Sequence, residues 1–215
     1  MIGNTNANSS DGMSNNTKIL NVVETGSLTR NGAVYSGFSS SNYLQIGNVI
    51  DNGYISLSGI SVKDFGLAIQ NANNWEIVFK IKYNSSSSVQ AIFGAKDLYF
   101  LVHINASHRL TLSMGNGSGD WAIDLAGTTE LSDNTIYWVK VEWTGTEYKI
   151  YLSTDGTTWN LENSLVSSFT LSYDSDIVWS IGKMQSLYVW DGDINISDSY
   201  ININNEIWWK GAENL

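Results

Sequence analysis

An all-β, antiparallel sandwich is the fold class predicted for this chain of 215 residues, and three observations predict it. Turn signals recur at close spacing from Lys18 onward: Asn31-Gly32, Asn52-Gly53, Asn116-Gly117, Gly145, Asp155-Gly156 and Asp191-Gly192. Between them stand short runs rich in Val, Ile, Tyr, Phe and Trp, side chains that fit a pleated, half-buried surface. Nothing competes with this pattern. No convincing amphipathic helix is present, and no internal repeat of about 20–50 residues points to a propeller or solenoid.

Taken in order, residues 1–16 (MIGNTNANSSDGMSNN) are a polar, low-complexity stretch with too little apolar area to order itself, and they read as a flexible arm or linker. Residues 17–215 read as one domain, a length that single β-sandwiches routinely reach. Strands are expected at Tyr54 to Leu57, Trp75 to Tyr83, Tyr99 to Ile104, Arg109 to Met114 and Ile177 to Ile181. Val62, Phe65, Ala68 and Ile69 have helical spacing and mark one short helix at Val62 to Ala72, which Gly66 weakens. Two hairpins then follow in succession. Ile136 to Trp143 turns through Thr144 to Glu147 into Tyr148 to Thr154, and Asp155-Gly156 turns again toward Trp159.

Composition excludes several classes. The formal charge of −10 comes with only 15% charged residues. Such a neutral-polar, mildly acidic surface is the wrong sign for nucleic acid. With no cysteine there is no disulfide framework and no thiol chemistry. No apolar run approaches the roughly 18 residues that would span a bilayer, and the first residues carry no export signal. Expected partners are therefore a polar, uncharged ligand or another protein, with no nucleic acid and no membrane insertion.

The first hairpin supplies a candidate site. If its four-residue loop closes symmetrically, Trp143 faces Tyr148, Val141 faces Ile150 and Val139 faces Leu152, giving one apolar face. The other face then pairs Glu142 with Lys149, Lys140 with Tyr151 and Trp138 with Ser153. An indole and a phenol beside a lysine and a carboxylate suit a pyranose, which offers apolar C–H faces and hydroxyl rims together. The same residues also make ordinary cross-strand, ion-pair and cation–π contacts worth about 0.2–1 kcal/mol each.

The order of the pieces carries a resemblance. Tyr35-Ser-Gly-Phe-Ser-Ser-Ser-Asn-Tyr-Leu-Gln-Ile46 resembles the opening strand of laminin G-like and concanavalin A-like domains. Trp75 to Tyr83 resembles their first long core strand, and Leu131 to Trp143 their turn-then-strand segment. The tail from Ser186 to Gly211 is similar to the closing strands of jelly-roll domains in tailed-phage structural proteins and prophage-encoded adhesins. The resemblance covers roughly residues 33–211 and implies a concanavalin A-like, two-sheet jelly roll with a concave face. Its superfamily is dominated by carbohydrate binding, with some glycoside hydrolases and some structural members. It implies a place outside the cell or on a virion surface, reached without a signal peptide.

Catalytic motifs are missing. Retaining glucanases of this fold resemble one another in a Glu-x-Asp-x-(x)-Glu strand that sets two carboxylates about 5–5.5 Å apart, and no such stretch occurs. Asp120 and Asp124 read as loop or edge residues, and the two histidines, His103 and His108, as surface groups. Ser153-Thr-Asp-Gly-Thr-Thr-Trp159 resembles a sialidase Asp-box one residue short, and reads as a structural turn with Trp159 capping an edge. No cofactor is required. Calcium is the one metal considered: Asp191, Asp193 and Asn195 open like an EF-hand loop, which they do not complete, and Asp97, Asp174 and Asp176 offer further oxygens.

Of the nine tryptophans, Trp75, Trp143 and Trp179 stand among apolar strand neighbours and are assigned to the core. Trp208 and Trp209 are placed to close the sandwich or dock a neighbour. Trp121 and Trp190 lie where binding loops emerge in such folds. The predicted function is non-catalytic, lectin-like recognition of a polysaccharide or cell-surface glycan by Trp121, Trp138, Tyr151 and Trp190, with Asp120, Lys140, Glu142 and Asp191 as polar partners. The alternatives are a structural virion module that binds other virion proteins and, behind it, a glycoside hydrolase.

Overall fold

The computed structural model describes the backbone of residues 21–25, 28–31, 43–46 and 54–58, and then residues 66–95, 97–169, 171, 179–182, 184, 190 and 192–210, the last five as backbone only. The polar stretch 1–16, most of Tyr35 to Tyr43, Asp174, Asp176 and Asp191 lie outside the described residues.

Fifteen strands are described in chain order. They are β1 (Asn21–Thr25), β2 (Leu28–Asn31), β3 (Tyr43–Ile46), β4 (Tyr54–Ser58), β5 (Trp75–Tyr83), β6 (Gln90–Gly94), β7 (Phe100–Ile104), β8 (Leu110–Met114), β9 (Ile123–Ala126), β10 (Thr135–Trp143), β11 (Glu147–Ser153), β12 (Asn160–Val166), β13 (Trp179–Ile181), β14 (Gly192–Ile203) and β15 (Glu206–Lys210). Residues 66–70 form one helical turn, inside the stretch where helical spacing was expected.

Two antiparallel sheets pack face to face as a jelly-roll sandwich. The first runs β1-β4-β13-β6-β7-β8-β9 and the second β12-β11-β10-β5-β14-β3-β2, with β15 added alongside β14. The β10–β11 hairpin has the register that alternation predicts: Trp143 opposite Tyr148, Val141 opposite Ile150, Lys140 opposite Tyr151 and Trp138 opposite Ser153. The reason is local. A short closed loop fixes which residues are opposed, and a slip of one residue would turn Val139, Val141 and Ile150 out to water.

The sandwich interior is aromatic. Trp179 stacks on Phe93 at 5.5 Å and meets Phe100 at 5.2 Å, while Phe79 and Trp75 reach Phe93 and Phe100 from the opposite sheet, both at 5.9 Å. Trp75, Trp143 and Trp179 are all buried, as their apolar neighbours indicated. Such ring pairs add about 0.5–1.5 kcal/mol each beyond their area burial. They tie β5 of the second sheet to β6, β7 and β13 of the first, which makes β5 a rigid base for its outward side chains.

The expected strands omit β1, β2, β6, β9 and β12: the first four are only four or five residues long, and β12 carries Asn160, Glu162, Asn163 and Ser164. His103 is not a surface group: its ring is buried, because β7 and β8 are covered on both faces. His108 is half-buried, where its Nδ1 bonds the Tyr83 hydroxyl.

Candidate functional site

The outward face of the second sheet gathers the polar and aromatic side chains. Because β10 pairs with β5, and β5 with β14, the alternation seen in the hairpin continues across four strands. One row reads Tyr151, Lys140, Val78 and Tyr200; the next reads Lys149, Glu142, Glu76 and Asn202; a third begins Ser153, Trp138 and Lys80. Beyond Lys80 the register of β14 shifts between Asn195 and Tyr200. That bulge lifts Asp198 toward the sheet face, where its Oδ2 accepts from Lys80 Nζ at 2.8 Å and from Asn195 Nδ2 at 3.2 Å.

A depression of about 310 Å³ opens at this place, lined by Val78, Trp138, Asp155, Gly156, Trp159, Asp198 and Tyr200. Its size falls at the lower end of small-ligand sites, roughly 300–1,000 Å³. The loop between β11 and β12 forms one wall. Asp155 Oδ1 accepts from the Thr157 and Thr158 amides at 2.7 Å each and from Ser153 Oγ at 2.9 Å. Those backbone bonds, Thr158 first, hold the Asp155 carboxyl far below the usual carboxylate range. Gly156 follows with a φ of +74°, in the left-handed region, its backbone close against the Trp138 indole. Trp159 is thereby brought back over the sheet.

Charges on the face are paired among themselves. Lys80 Nζ lies 4.2 Å from the centre of the Trp138 ring. Lys140 Nζ sits 4.3 Å over Tyr151 and 5.0 Å from Trp159, and reaches Glu142 Oε2 at 3.5 Å. Tyr151 donates its hydroxyl to Glu142 Oε1 at 2.8 Å. Burial first, then the bond to Glu142, pushes the Tyr151 hydroxyl well above its ordinary value. Tyr200 is pushed up in the same direction by burial and by the charge and hydrogen bonding of Glu76.

Glu76 and Glu142 are themselves direct cross-strand partners. No acidic motif along a single strand announced this pair, since its members come from strands that meet only in the fold. Next to them a second depression of about 340 Å³ is lined by Asn74, Trp75, Glu76, Glu142, Trp143, Thr144, Asn202 and Asn205. This second depression sits at the strand ends, with Glu142 and Glu76 one row from Lys140 and Val78.

The structure divides the sequence-predicted set. Trp138, Lys140, Glu142 and Tyr151 stand together. Trp121 does not join them: half-buried, it packs against Ala91, Leu101 and Met184, which alternate away from the core of the first sheet. Asp120 is exposed in the loop before it. Trp190 is a core residue, 0% exposed and 6.4 Å from the Tyr83 ring, so it has no face to offer a sugar. Asp191 lies outside the described residues. Asp193 and Asn195 are buried on β14, opposite Lys82 and Lys80, and Asp97 Oδ1 accepts from the Leu98 amide. Among the described residues no group of three or more His, Cys, Asp or Glu is placed to hold a metal.

Several residues of this face were missed in sequence. Glu76, Val78 and Lys80 follow from alternation along β5, but their proximity to Trp138 depends on which strand lies beside β10. Tyr200 and Asp198 depend on the β14 bulge. Trp159, expected to cap an edge, lines the depression.

No protein-family model and no curated protein matches the sequence. Solved structures do match in shape. The binding domain of botulinum neurotoxin DC in complex with rat synaptotagmin II aligns with a TM-score of 0.60 at 13% identity, over 87% of this chain and 44% of that one. The fold is that of a jelly-roll β-sandwich. Domain 4 of AbnA, a GH43 extracellular arabinanase from Geobacillus stearothermophilus, in complex with arabinotriose, aligns with a TM-score of 0.55 at 13% identity, over 90% of this chain and 85% of that one. The CBM40 of Ruminococcus gnavus IT-sialidase bound to α2,3 sialyllactose gives 0.50 at 14% identity, covering 89% and 96%. This chain spans 44% of the length of the neurotoxin binding domain and nearly all of the CBM40. Among the described residues no helix is long and apolar enough to cross a membrane.

Proposed function

We propose that this chain is a non-catalytic, lectin-like domain that binds glycans on the outward face of the second sheet. The observation that carries the reading is the depression between Trp138, Trp159 and Tyr200, where aromatic rings stand beside the carboxylates of Asp155 and Asp198. Aromatic faces take the C–H surface of a pyranose, and carboxylates accept its hydroxyls. Tyr151, Lys140 and Glu142 extend the same face from the sequence-predicted set. The fold supports the reading, since jelly rolls of this shape include one described with arabinotriose and one described with sialyllactose. An open site of this kind binds weakly, with a Kd near the millimolar scale or about −4 kcal/mol, and gains from display in several copies. Display on a phage virion or surface adhesin would provide those copies.

The test is a broad array of glycans and bacterial surface polysaccharides, with and without calcium, using the wild type and Trp159→Ala. Trp159 is half-buried and outside the core cluster. Reproducible binding that the substitution abolishes at unchanged Tm is the expected result. Silence from the folded protein would transfer the face to a virion-protein contact. New reducing ends from a bound polysaccharide would instead assign Glu76 and Glu142 to hydrolysis.

A further inference from the structure

We propose that the depression selects uncharged glycans and rejects sialylated and uronic acid ones. The inference rests on the reading of this face as a glycan site and adds its charge specificity. A sugar carboxylate is an acceptor only, so it needs a cation or a free donor. The ammoniums of Lys80 and Lys140, which border the lining residues, are already engaged: Lys80 by Asp198 at 2.8 Å and by the Trp138 ring, Lys140 by Glu142 at 3.5 Å and by the rings of Tyr151 and Trp159. Tyr151 spends its hydroxyl proton on Glu142 at 2.8 Å.

Around these paired cations the face carries more carboxylates than ammoniums, beside the indole N–H groups of Trp138 and Trp159. Asp155 and Asp198 line the depression itself, with Glu76 and Glu142 in the adjoining one. Hydroxyl groups both donate and accept, so a neutral sugar can use carboxylates that would repel an acidic one. The chain's formal charge of −10 acts in the same sense at longer range. The turn amides hold the Asp155 carboxyl below the usual carboxylate range, so it stays ionised even in acid.

The measurement uses matched pairs: the array's neutral oligosaccharides against the same cores carrying a terminal sialic or hexuronic acid. The neutral member of each bound pair should bind at least tenfold more tightly. Asp198→Asn removes the carboxylate that accepts from Lys80 at 2.8 Å and one negative charge from the depression, and should narrow that ratio several-fold by admitting the acidic member, and adding Lys80→Gln should restore it. Asp198 has a side chain 41% exposed, so the fold tolerates the change. Equal or tighter binding of the acidic members, or a ratio that Asp198→Asn leaves unchanged, overturns the specificity while the glycan reading stands. No binding to any member overturns both.

Discussion

Replacing Gly156 by Ala tests how the candidate site is assembled, because two separate effects meet there. Gly156 has a φ of +74°, a conformation that costs a residue with a Cβ roughly 1–2 kcal/mol. An added Cβ would also stand 2.8 Å from Trp138 Cε2, 2.9 Å from Nε1 and 3.2 Å from Cδ2. A carbon–carbon contact that short cannot persist, so the turn or the indole must move. Overpacking of this kind costs about 1–3 kcal/mol more. Gly119 provides the control. Its φ of +79° imposes the same backbone strain, but a Cβ there meets nothing within 4 Å.

Both variants should therefore melt below the wild type, Gly119→Ala by the strain alone and Gly156→Ala by the strain plus the contact. At about 2–4 °C per kcal/mol for a domain of this size, the two melting temperatures should differ by a few degrees to about ten. Differential scanning calorimetry measures the difference, and glycan binding should fall only in Gly156→Ala. Equal melting temperatures with equal binding would refute the idea that the Gly156 turn fixes the Trp138 ring.

Two further predictions concern pH. Burial lowers the His103 pKa from 6.5 to about 4, only partly opposed by Asp124. Its unfolded form therefore takes up a proton first, and stability present above pH 6.5 is lost as pH falls toward 4, on the order of 3 kcal/mol at the limit. His103→Gln should flatten urea-unfolding free energies across that window. At the alkaline end, burial pushes the Tyr148 hydroxyl up to about 12, and that hydroxyl donates to the Phe169 carbonyl at 2.7 Å. A raised pKa means stability that is complete below pH 10 and lost between about 10 and 12. Tyr148→Phe keeps the 4.3 Å ring stacking on Trp143 and should show a shallower alkaline limb; an unchanged limb would assign the loss to other groups.

The sequence made half of this face legible, and the reason is chain distance. Trp138, Lys140, Glu142 and Tyr151 belong to one hairpin, whose short loop dictates which residues are opposed. The other half lies on β5 and β14, and no periodicity says that β5 is the strand beside β10. Trp190 misled because it precedes Asp191-Gly192, a turn signal, and turns are usually wet; here the indole folds inward onto Tyr83. His103 misled because alternation assumes one wet face per sheet, whereas β7 and β8 are buried on both. The core tryptophans were legible for the opposite reason, since large apolar neighbours on both sides leave a strand residue little alternative.

Glu76 and Glu142 place a local cost in stability on this face. Like charges directly opposed on neighbouring strands are destabilising, by an amount of the order of a cross-strand pair, about 0.2–1 kcal/mol. Here each carboxylate is supported from its outer side by a tyrosine, Tyr151 on β11 and Tyr200 on β14, and Glu142 also by Lys140. These contacts offset the repulsion without removing the excess of acceptors. On the proposed reading, the pair, with phenols on both flanks and indoles one row away, would accept hydrogen bonds from a hydroxyl-rich ligand while the rings cover its carbons.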